Sequence, residues 1–83
     1  MCVYRDVIIG LLKRETSIKM NAWDTIGDDD NLSFWGFTSM DVVKLVVAIE
    51  ERFQFTLDND ELLMENFATI NKINDILKKY IKG

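Results

Sequence analysis

The sequence predicts an all-α fold, and three observations predict it. Apolar residues recur at helical spacing in three separate stretches, threonines stand at the thresholds of two of them, and proline is absent throughout. At 83 residues with four glycines and 48% hydrophobic residues, the chain can fill one core, burying roughly 60 to 65% of its extended surface. Residues 1–83 are therefore read as a single domain, with no repeat or linker to divide them.

The first stretch predicts a helix near residues 2–14. Val3, Tyr4, Val7, Ile8, Leu11 and Leu12 make its apolar stripe, and Arg5, Asp6, Lys13 and Arg14 its polar side. The second stretch, GFTSMDVVKLVVAIEERF (36–53), predicts a helix that buries Val42, Leu45, Val46, Ile49 and Phe53. Asp60 to Glu65 reads as a short helix after it. A last helix near 70–81 follows from Thr69 as N-cap, from the stripe of Ile70, Ile73, Ile76, Leu77, Tyr80 and Ile81, and from Lys78, Lys79 and Lys82 at its negative end.

More than twenty residues between Glu15 and Phe37 lack periodicity, which is long for a loop in a small domain. Trp23, Ile26, Leu32, Phe34 and Trp35 are expected to pin it across the helices, the other reading being a short helix without a visible period.

Composition excludes several chemistries. Histidine is absent, so neither a Ser-His nor a Cys-His nucleophile pair can be built. The run Asp28, Asp29, Asp30 reads as a solvated loop, and acid catalysis on it is the remotest of the functions considered. As a calcium loop it fails, because Leu32, Ser33 and Ser39 fall where an oxygen ligand, the turn glycine and the bidentate glutamate belong. A formal charge of −4 without any Lys or Arg run gives no footprint for nucleic acid or an anionic membrane and favours basic partners. A lone cysteine, Cys2, cannot form an internal disulfide, and Val7 to Leu12 is too short to span a bilayer, so a cytoplasmic protein is expected, and a small acidic bundle is expected to be a monomer.

The start of the second helix is the most informative stretch. Thr38 and Asp41 stand in T-x-x-D spacing and predict a capping box, which releases Ser39 from capping and leaves it as the first helical residue at the positive end of the macrodipole. Gly36 allows a tight turn just before it. Met40, Val43 and Val47 form a second apolar stripe edged by Lys44, Glu50 and Glu51. That stripe is either a partner-binding face or is covered by the loop or the short helix.

With these residues in view, the chain resembles the acyl carrier and peptidyl carrier proteins. Gly36, Ser39, Met40, Asp41, Val43, Leu45, Val46, Ala48, Ile49, Glu50, Glu51 and Phe53 fit the attachment-site helix of that family, and Thr69, Ile70 and Ile73 fit its closing helix. The resemblance implies a small four-helix bundle with a long first loop and a short third helix. It implies a non-enzymatic carrier that a phosphopantetheinyl transferase modifies with 4′-phosphopantetheine, from coenzyme A, on Ser39. It also implies that acyl- or aminoacyl-loading enzymes and downstream synthases grip Met40, Val43, Lys44, Val47, Glu50 and Glu51. Thr38 and Met40 replace the family's commoner Asp and Leu beside the serine, and Lys44 replaces a usual acid. These departures point to a free-standing carrier of nonribosomal peptide or polyketide assembly. The alternatives are a fatty-acid carrier and an unmodified interaction module.

Overall fold

In the computed structural model, residues 3–16, 18, 23–58 and 62–81 are described, apart from the side chain of residue 24. Cys2, Asp60, Glu61 and Lys82, which the sequence assigns to helices or to the N-terminus, lie outside them. The described residues hold three α-helices, α1 (Arg5–Glu15), α2 (Ser39–Phe53) and α3 (Ile70–Tyr80), with short 3₁₀ turns between them.

The first helix starts later than its apolar pattern predicts. Val3 is exposed and Tyr4 is the N-cap, with no side-chain cap of its own. The Tyr4 amide instead donates to the Asn74 Oδ1 of α3 at 2.9 Å, so the entry to α1 is held from across the bundle. Asn74 is fully buried, and this bond satisfies its oxygen. Ile8, Leu11 and Leu12 face the core, and the Thr16 hydroxyl closes the helix by donating to the Leu12 carbonyl at 2.6 Å.

Val42, Leu45, Val46 and Ile49 of α2 are buried as the wheel predicts, while Phe53 at its end is half-buried and meets the Tyr4 ring edge-on at 6.3 Å between centroids. Gln54 in left-handed backbone ends the helix. Phe55 then stacks between Phe53 (6.4 Å) and Tyr80 (5.0 Å), which anchors the chain beside the end of α3. α3 begins at Thr69, whose side chain accepts from the Lys72 amide at 3.1 Å, and buries Ile70, Ile73, Ile76 and Leu77.

The short helix expected at Asp60 to Glu65 is not where the sequence puts it. Leu62 and Leu63 are not helical, and the turn that follows is a 3₁₀ turn at Met64–Phe67. Four residues are too few for an apolar period, and the position of the turn is set by Phe67, which is fully buried. α1 packs on both α2 and α3, and the Met64–Phe67 turn bridges α2 and α3.

The described part of the long loop is held by specific bonds. It contains 3₁₀ turns at Trp23–Thr25 and Leu32–Trp35, and its Ile18, Ile26, Leu32 and Phe37 complete the core. Asp28 pairs with the Arg5 guanidinium, which also donates to the Ile26 carbonyl at 2.6 Å. The Asn71 amide donates to the Asp28 carbonyl at 2.8 Å, and the Asn71 side chain to the Asp29 carboxylate at 3.1 Å. The aspartate run is thus a clasp between α1 and α3 as well as a wetted loop.

Phe34 and Trp35 depart from expectation, being 85% and 40% exposed. A 3₁₀ turn has three residues per revolution, so with Leu32 directed into the core, Phe34 is turned outward.

Candidate functional site

The site grows from the loop's last turn. Asn31 caps it by accepting from the Ser33 amide at 3.0 Å, and Gly36 ends it with a φ of 95°. Beyond its chain neighbours, no atom lies within 4 Å of where a Gly36 Cβ would sit, so the glycine answers a backbone requirement and not a packing one. Phe37 is buried and fixes the chain against the core. Thr38 is extended, and α2 begins at Ser39.

The capping box is present as the spacing predicts. The Asp41 amide donates to Thr38 Oγ1 at 3.4 Å, the Thr38 amide donates to Asp41 Oδ2 at 2.9 Å, and the Thr38 hydroxyl donates to the same oxygen at 3.2 Å. Asp41 is wholly buried by this arrangement. Ser39 is exposed at the first helical position and takes no part in the cap.

The second stripe of α2 is not covered. Met40, Val43 and Val47 are 67%, 59% and 49% exposed, so neither the loop nor the Met64–Phe67 turn hides them. On one side of this ridge an open apolar crevice of about 390 Å³ starts at Ser39 and runs between Val42, Val43, Val46 and Val47 of α2 and Leu62 and Met64 opposite. On the other side stand the exposed Lys44 and Glu51. Glu50 differs from its expected place on the charged rim: it is half-buried, and its carboxylate accepts from the Leu57 amide at 2.8 Å. It fastens the chain that leaves α2. The Leu62 and Met64 wall has no periodic signal in the sequence, and only the buried Phe67 marks its position.

Among the described residues no group of three or more His, Cys, Asp or Glu could hold a metal ion, and no helix is long and apolar enough to cross a membrane. Among the described residues, α2 thus presents an uncovered apolar ridge beside the exposed Ser39. The family model for the phosphopantetheine attachment site matches residues 6–77, and the chain belongs to that family. Its cofactor is covalently attached 4′-phosphopantetheine, and the family carries groups without catalysing their reactions.

Among relatives, an acyl carrier protein of Buchnera aphidicola subsp. Baizongia pistaciae is 40% identical over 43 residues, 52% of this chain and 53% of that protein. An aminoacyl carrier protein of Agrobacterium fabrum is 35% identical over 60 residues, 72% of each chain. Aminoacyl carrier protein 1 of Bradyrhizobium diazoefficiens is 40% identical over 38 residues, 46% of this chain and 42% of that one. Two of these alignments therefore span about half of the relative or less. The fold superposes with a TM-score of 0.80 and 29% identity on a chain in the crystal structure of an engineered Bradyrhizobium japonicum glycine:[carrier protein] ligase complexed with carrier protein from Agrobacterium tumefaciens and ATP. The match covers 90% of this chain and 96% of that one.

Proposed function

We propose that Ser39 is the attachment point of the phosphopantetheine arm and that the chain is a carrier of aminoacyl groups. The observation that carries the site is the capping box: Thr38 and Asp41 satisfy the helix start between them, so the exposed Ser39 hydroxyl is left for chemistry. Amides at the start of α2 favour a negatively charged phosphate at this oxygen.

In the attachment step Ser39 Oγ bonds to the pantetheine-bearing phosphorus of coenzyme A as the bond from that phosphorus to the adenosine bisphosphate breaks. The hydroxyl proton passes to a base on the transferase. When bound, the arm supplies a terminal thiol that holds the cargo as a thioester. Met40, Val43 and Val47 give partner enzymes an apolar grip, Lys44 and Glu51 guide their approach, and Glu50 acts indirectly by holding Leu57.

Aminoacyl cargo is favoured over a fatty acyl chain by the Agrobacterium relative and by the ligase complex, both of which concern aminoacyl chemistry by name. A loading ligase and downstream enzymes of a specialised pathway are the partners in this reading. Residues 1–83 act as one cytoplasmic carrier domain, in which the Met64–Phe67 turn stands in for the third member of a four-helix bundle. The exposed ridge also suits an unmodified interaction module, and one measurement separates the two. Intact mass after incubation with coenzyme A and a broad-specificity phosphopantetheinyl transferase should rise by one phosphopantetheinyl group in the wild type and not in Ser39→Ala. An unchanged wild-type mass with several transferases would favour the module.

A further inference from the structure

We infer that the Phe34–Trp35 turn is an anchor for the phosphopantetheinyl transferase, entering an apolar socket rimmed by cationic side chains. The inference rests on Ser39 being the modified residue.

Three features of the turn carry it. Phe34 is the most exposed large apolar residue described, and Trp35 beside it is partly exposed. The backbone that carries this ring is held in place. The Leu32 amide donates to the Ala68 carbonyl at 2.8 Å, the Phe34 amide to the Asn31 carbonyl at 3.2 Å and the Gly36 amide to the Ser33 carbonyl at 3.2 Å, while Leu32 and Phe37 on either side are buried. An exposed aromatic with two side-chain torsions on a fixed backbone loses little freedom on binding, which is the property of an interface hot spot.

The occupant follows from size, charge and position. The two rings offer roughly 200–300 Å², well short of the ~800 Å² per side that a stable dimer needs. The surface therefore suits a transient enzyme partner. Exposed Asp29 and Asp30 lie a few residues upstream on the same loop, so the complementary socket carries Lys or Arg at its rim. Phe34 and Trp35 precede Ser39 by five and four residues and connect to it through the buried Phe37 and the capped Thr38. An anchor so close and so stiffly joined sets the position of Ser39 Oγ itself. That matters to the enzyme whose chemistry occurs at that oxygen, where an error of about 1 Å can cost a hundredfold. Enzymes acting at the far end of a flexible arm do not read it.

The test compares apo wild type, Phe34→Ala, Phe34→Leu and Val3→Ala as substrates of a broad-specificity transferase with coenzyme A, following mass conversion over time. Val3 is an exposed apolar residue next to Tyr4, which packs on Phe53 at the opposite end of α2 from Ser39, and serves as the control. Phe34→Ala should lower the specificity constant at least about tenfold with an unchanged thermal midpoint. Phe34→Leu should recover most of the rate, and Val3→Ala should equal wild type. In the Ser39→Ala background, where no transfer occurs, adding Phe34→Ala should weaken calorimetric affinity for the transferase by a similar factor. Equal rates and affinities for Phe34→Ala and wild type overturn the anchor and leave the carrier standing. A wild type that is never modified overturns both. Concentration-dependent dimerisation that Phe34→Ala abolishes without altering transfer reassigns the turn to self-contact and also overturns the proposal.

Discussion

Two adjacent hydroxyls, Thr38 and Ser39, do opposite things because of one dihedral step. Thr38 is extended, so its Oγ1 reaches the Asp41 amide; Ser39 is already the first helical residue, and the cap is made without it. The stabilities of the two alanine variants should therefore diverge. Thr38→Ala should cost about 1 kcal/mol in urea unfolding, the usual loss for a helix cap. Ser39→Ala should stay within about 0.5 kcal/mol of wild type, as exposed substitutions do. The reverse order would show that Ser39 is the cap and is not spared for modification. This part of the site is legible in the sequence, because a capping box is a local pattern of residues three apart. Glu50 shows the opposite case: its bond to the Leu57 amide depends on how the chain turns after Gln54, and nothing in the spacing of Glu50 and Glu51 distinguishes the fastened acid from the free one.

At the scale of elements, the three α-helices are legible because each repeats an apolar stripe over eleven residues or more. The elements that position the site's surroundings are not. The clasp around Asp28 joins Arg5, Asp28 and Asn71, which are far apart in sequence, and it shares with the Leu32 to Ala68 bond a reliance on backbone groups that leave no signature in residue type. The Met64–Phe67 turn is the most consequential of these, since it forms the wall opposite α2 and is held there by one ring. Phe67→Ala should cost about 3–5 kcal/mol, because the fully buried ring leaves a cavity that its neighbours cannot fill. For a domain this small, that is a large share of the total stability. Thermal unfolding should show a far lower midpoint or no cooperative transition. A loss under about 1 kcal/mol would mean that the turn is not packed as described.

Across the whole molecule, the proposed docking divides between charge, which acts on how partners arrive, and the apolar ridge, which acts on how long they stay. Fourteen acids against ten bases make the approach of a basic enzyme favourable from a distance. Lys44 opposes that field at the edge of the exposed ridge, within a turn of Met40 and Val47. Reversing it with Lys44→Glu shifts the formal charge by two units, from −4 to −6, at the point of contact. For a transferase with a basic docking surface, the association rate measured by stopped flow at low salt should rise several-fold. The dissociation rate should change little, because rim charges act on encounter more than on residence. The gain should disappear near 1 M salt, where the Debye length falls to about 3 Å. A slower association at low salt would mean that the partner meets Lys44 with acids of its own. The mixed face of α2 would then be a selective surface, cationic at Lys44 against one partner and acidic on the preceding loop against another.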